Sequence, residues 1–203
     1  MRLAEVERGD TLARRLLIRF ISLVSGMRLP DAARVAFYHK DFGGPLGAWT
    51  HAAMRGPSSW TIGERELMAA MVVKWNGCAF CVGAHRAVAA KEIPAAVVDA
   101  ALADQGSAPI SDRLNATLAF LEKMTRRPAE LTPGDAEAVL RAGVTREALT
   151  DAIAVATVFA VVTRYADALD FAIPTSYELD RAADMLLERG YRWQKLFPAV
   201  PAG

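Results

Sequence analysis

The 203-residue chain has only two cysteines and three histidines. So few thiols exclude a disulfide-stapled secreted scaffold. The net charge is +1, without the basic excess of a nucleic-acid binder. Long apolar runs are missing too. The longest, Ala152 to Thr163, lies between Asp151 and Arg164. A membrane span needs roughly 20 apolar residues. A signal-peptide order is also lacking: Glu5, Glu7 and Asp10 precede the first apolar stretch, and Arg19 interrupts it. These absences predict a cytoplasmic protein with neither membrane nor nucleic acid as a partner. No segment alternates with period two, and none reads as a linker. The expectation is one all-α domain over residues 1–203, with a loose Pro-containing tail at 197–203.

What is present supports that reading. Apolar residues make up 53% of the chain, which excludes disorder for most of it. Residues 10–25 carry apolar side chains at helical spacing. Pro30 can open a second helix, and Gly43-Gly44-Pro45 should end that region before a short helix over 44–54. Thr61-Ile62-Gly63-Glu64 and Thr175-Ser176-Tyr177-Glu178 are capping boxes. They predict helices from about Ile62 to Lys74 and from Ser176 to Gly190. Asn76-Gly77 is a breaker, after which a helix runs from the cysteines to about Lys91. Further helices follow from Pro94, from Ser111 to Arg126 and from Thr132 to Gly143. Residues 145–170 should form a buried central helix. Its apolar surplus predicts a homo-oligomer. Glu66–Ile93 and Glu147–Ile173 share an apolar texture and an Ile-Pro ending, so an internal repeat of helix pairs is one reading.

Both cysteines fall in one Cys-x-x-Cys, Cys78 and Cys81, which random placement gives in roughly one case in a hundred. The wider pattern, inside a redox segment over 64–94, is Glu66, eleven residues, Cys78, two residues, Cys81, three residues, His85. Cys78 follows the break, in the expected first turn of a helix. Helix N-termini and Cys-x-x-Cys pairs favour a thiolate, the form that attacks peroxides and disulfides. A sulfenic acid on one sulfur could be closed to a disulfide by the other. His85 lies one turn beyond Cys81, where an imidazole can exchange protons with it. Glu66 has Ala69, Ala70 and Val73 on its face and no cation, whereas Glu64 and Arg65 read as solvated charges. Burial should raise the Glu66 pKa and suit it to relay a proton. Arg86 and Arg164 are possible ion-pair partners. Glu66 can reach the cysteines only if the Asn76-Gly77 break folds the second helix back.

Structural readings stand beside these. Half a zinc site would need His39, His51 or His85 to complete four ligands. A thioredoxin-type motif would follow a strand, and the segment before Cys78 is helical. Taken singly, Glu66 and His85 would each be weak candidates. Their fixed spacing with two cysteines is what favours chemistry.

At these residues the sequence resembles the alkylhydroperoxidase D (AhpD-like) and carboxymuconolactone decarboxylase family, in its cysteine-bearing branch. The resemblance centres on about Gly56 to Ile93. It implies an all-helical fold assembled as trimers or hexamers, and a thiol-dependent peroxidase or disulfide reductase. It implies that Cys81 is the peroxidatic cysteine, Cys78 its resolving partner, and His85 with Glu66 a proton relay. It implies no cofactor, an organic hydroperoxide as substrate and a dithiol reductant, lipoyl-type or another redox protein. Phe80 stands where the best-known members have a second histidine. The alternatives are a redox sensor or scaffold without turnover, and a dithiol-disulfide reductase without peroxidase activity.

Overall fold

Side chains at helix starts satisfy the backbone donors that a helix leaves free there. In the computed structural model, which describes residues 1–38 and 40–192, the Thr61 hydroxyl accepts from the Glu64 amide. The Glu64 carboxylate accepts from the Thr61 amide in return. Thr175 and Glu178 repeat the arrangement. The described elements are α1 (Ala4–Arg8), α2 (Leu12–Ser25), α3 (Asp31–Tyr38), α4 (Lys40–Arg55), α5 (Ile62–Trp75) and α6 (Ala79–Glu92). They continue with α7 (Ala95–Ala103), α8 (Asp112–Arg126), α9 (Pro133–Arg141), α10 (Arg146–Leu169) and α11 (Ser176–Arg189). There is no strand among the described residues, as the missing period-two pattern predicts. The expected loose tail at 197–203 lies outside the described residues.

α5 is the centre of the core. Every residue from Arg65 to Val73 is buried, because α4, α6, α8 and α10 all pack on it. Each buried Leu, Met or Val side chain there stabilises the fold by about 2 kcal/mol. α10 is long and apolar enough, by length and composition, to cross a membrane. It packs instead on α5, α4 and α8. A satellite cluster of Ile21, Leu29 and Ala33 ties α2 to the start of α3.

Three expectations need correction. Gly43-Gly44-Pro45 does not end a helix but lies inside α4. A Cβ on Gly43 would come within 2.5 Å of the Ala36 backbone, so glycine there lets α3 and α4 cross closely. Arg65 is not solvated. It is buried, with its guanidinium on the carbonyls of Ala53 and Gly56. The repeat of helix pairs is absent: residues 66–93 span two helices and a break, whereas 147–173 hold one unbroken helix and a loop.

Candidate active site

The Asn76-Gly77 break does what the motif requires. Gly77 takes a φ of 81°, a conformation cheap only for glycine. The chain reverses there, and α6 packs along α5. Glu66 on α5 and His85 on α6 are thereby brought together, with Glu66 Oε2 2.8 Å from His85 Nδ1. Glu66 is completely buried and His85 nearly so.

Neither Arg86 nor Arg164 is the partner of Glu66. Arg86 pairs with Asp99. Arg55, at the end of α4, places Nη2 2.7 Å from Glu66 Oε1. The Tyr191 hydroxyl donates to the same carboxylate at 2.8 and 3.0 Å. Tyr191 follows α11 and is held by its own amide, which donates to His51 Nδ1. The Arg55 guanidinium also lies over the Tyr191 ring. The carboxylate therefore receives donors from three other segments, which is what a buried charge needs.

This reverses the expected protonation of Glu66. Burial alone pushes its carboxyl up. The hydrogen bond and field of His85, with those of Arg55, outweigh burial and hold it below the usual range. Burial and the neighbouring carboxylate push the Tyr191 phenol well above its ordinary value. Tyr191 is thus a donor and Glu66 a carboxylate. Glu66 fixes the imidazole through Nδ1 and leaves Nε2 as the nitrogen available for proton exchange. Phe159 packs edge-on against the same ring, 4.2 Å between centroids.

The two thiols are free and buried. Cys78 is the N-cap of α6 rather than a first-turn residue, and its Sγ accepts from the Cys81 amide at 3.4 Å. Exposure does not distinguish them: 4% of Cys78 and 2% of Cys81 is exposed. Their acidities do differ. A hydrogen bond from Cys81 lowers the Cys78 pKa despite burial. The same hydrogen bond, together with burial, pushes Cys81 far up. Cys78 is the more acidic thiol of the pair.

A cavity of about 170 Å³ opens onto this cluster. Cys81, His85 and Tyr191 are on its wall and Cys78 is not. The remaining wall is mostly apolar, from α4, α6, α10, the 171–174 loop and α11. Phe80, the departure from the family pattern, is part of that wall and packs edge-on against Phe171. Among the described residues there is no cluster of three or more metal-ligating side chains.

Solved structures resemble this arrangement of helices. One is an alkylhydroperoxidase AhpD core, a peroxidase-related protein from Ralstonia eutropha JMP134. It is 26% identical with a TM-score of 0.69, over 82% of this chain and 86% of that one. The fold is AhpD-like. A second AhpD-like neighbour is a peroxidase-related protein from Silicibacter sp. TM1040, 24% identical with a TM-score of 0.74, over 88% and 93% of the two chains. The debrominase Bmp8, 20% identical with a TM-score of 0.67, covers 86% of this chain and 94% of its own. A cysteine-to-alanine variant of that debrominase is also known in complex with 2,3,4-tribromopyrrole. No family model and no curated protein matches the sequence.

Against the AhpD-like fold, the spacing pattern located Glu66, Cys78, Cys81 and His85 in one region. It missed Arg55 and Tyr191. Arg55 closes the segment Ala52-Ala53-Met54-Arg55, and Tyr191 follows the helix-ending Gly190. Neither carries a local signal that pairs it with Glu66.

Proposed function

We propose that the protein is a cysteine-dependent peroxidase that reduces organic hydroperoxides at Cys81. The supporting observation is that Cys81 and His85 share the wall of an apolar cavity while a buried carboxylate holds the imidazole. A hydrocarbon substituent gains by leaving water for such a wall. Hydrogen peroxide, which has none, does not.

The Cys81 proton moves to His85 Nε2, which leaves the charge on the cavity-facing sulfur. Cys81 Sγ attacks the distal peroxide oxygen; an S–O bond forms and the O–O bond breaks. The departing alkoxide takes that proton back from His85 and leaves as an alcohol. Cys78 then attacks the Cys81 sulfenic acid, the disulfide forms, and the hydroxyl leaves as water with the Cys78 proton. A dithiol of the lipoyl type, or another redox protein, returns both thiols. We place this cycle in the thiol-reducing cytoplasm and in a homo-oligomer, whose mass light scattering would give.

The test is single-turnover reaction with cumene hydroperoxide, followed by mass spectrometry with a sulfenic-acid trap. Cys78→Ser should stall as a Cys81 sulfenic acid, and Cys81→Ser should remain unmodified. Label on Cys78 in Cys81→Ser, with none in Cys78→Ser, would reverse the two roles. Inertness to all hydroperoxides, with bromide release from a bromopyrrole, would make the protein a dehalogenase. Disulfide reduction alone would make it a reductase, and one oxidation without turnover would make it a sensor.

A further inference from the structure

α2 carries a surface that neither the core nor the cavity uses. Leu12, Leu16, Phe20, Leu23 and Val24 are 55% to 82% exposed. At 3.6 residues per turn they fall within a sector of about 120°. The opposite side is anchored by Ile21 in its satellite cluster, so the exposed stripe is not a folding face left over. The helix contains three arginines and no acidic residue. Arg14 is taken by Asp10. Arg15, whose Nε donates to the Gly9 carbonyl, and Arg19 are exposed and flank the stripe on one edge.

We infer that α2 is an interfacial helix that lies on an anionic lipid surface. Its 14 residues give an apolar stripe about 21 Å long, and the flanking guanidiniums match lipid phosphates in charge. A second copy of the chain matches less well. A two-fold pairing of antiparallel α2 helices sets each flank against the same flank of its partner. Arg15 and Arg19 would then meet their own counterparts, with no acidic residue on α2 to offset them. The chain after α2 leads directly to Met27, Arg28 and Pro30 on the cavity wall. Across the opening, Ile173 lines the cavity and is 67% exposed. The Arg28 amide donates to Glu178 on that side. The lipid-facing helix is thus tied to the rim of the cavity. The expectation of no membrane partner rested on the lack of a span, and a helix lying on the surface needs none. The inference rests on α2 and not on the peroxidase reading.

The test is cosedimentation of the full chain with vesicles of phosphatidylcholine, alone or with about 30% phosphatidylglycerol. Two surface cations should raise partitioning onto the anionic vesicles about 30-fold. About 0.5 M salt should remove that gain. Arg15→Gln/Arg19→Gln should bind both vesicles alike. Leu16→Ser/Phe20→Ser should bind neither, with an unchanged unfolding midpoint, because both positions are exposed. Equal partitioning of the parent onto both vesicles would overturn the inference. So would binding that survives Leu16→Ser/Phe20→Ser. A dimer that these serines dissociate, in a chain that ignores vesicles, would overturn it in favour of a second copy.

Discussion

Glu66 and Asp31 are both wholly buried carboxylates, and they sit in differently built surroundings. Asp31 opens α3 with Arg28 at 2.7 Å and Arg34 at 3.6 Å. Its other oxygen accepts from the Ala172 amide at 2.8 Å. All of these partners are fixed cations or backbone, with no imidazole or thiol among them. It latches the start of α3 to the loop that walls the cavity. Glu66 also has an arginine, but its remaining partners are an imidazole and a phenol. That one histidine, facing a cavity that also exposes Cys81, separates a structural ion cluster from a site that can move protons. Burial of a charged residue therefore says little about chemistry until its partners are known.

The comparison can be broken most strongly at Asp31. Asp31→Ala should lower unfolding stability by about 3 kcal/mol, because it leaves the buried Arg34 guanidinium without its carboxylate and the Ala172 amide without its acceptor. The rate of Cys81 oxidation in the folded fraction should stay as in the parent. Urea denaturation and stopped-flow oxidation measure the two effects. A large rate loss at full stability would erase the distinction drawn here.

Glu66→Gln should do the reverse. The isosteric amide keeps the packing but loses the charge that orients His85. Peroxide reduction should slow by about 100-fold, a typical size for lost acid-base assistance. The folded structure should persist by circular dichroism. A variant with parental rate would make Glu66 structural like Asp31.

Tyr191→Phe should fall between these. It removes one hydrogen bond to a carboxylate that keeps two others, at a cost of about 2 kcal/mol in stability. Oxidation should slow about tenfold by the same stopped-flow assay.

Two pH effects sharpen the contrast further. The folded Glu66 carboxyl lies below its ordinary value of 4.5. Its contribution to stability is therefore complete above that pH and is lost as pH falls through the folded value. Unfolding midpoints across the acid range should decline less in Glu66→Gln than in the parent. The smallest effect concerns the thiols. Ultraviolet thiolate absorbance should show one thiol ionising below the ordinary 9.0, and Cys78→Ser should lose that early phase.

Much of this was legible in the residues. Capping boxes and breakers place most helix ends, because a cap is settled by groups three residues apart. The Cys78, Cys81 and His85 register is local for the same reason. Gly43-Gly44-Pro45 misleads, because the close crossing with Ala36 is a tertiary demand that overrides a local breaking signal. The buried state of Arg65 was hidden likewise, since its acceptors are carbonyls at Ala53 and Gly56.

By itself, then, the sequence determined an all-helical chain with a thiol pair and a histidine on one helix. It did so through spacing that acts within a turn or two. Only the tertiary structure decided what Glu66 is. Its charge depends on Arg55 and on Tyr191, 125 residues away, and no local pattern encodes a contact made across four segments. Left to burial, the carboxyl would hold its proton; surrounded by these donors, it gives the proton up and holds the imidazole instead.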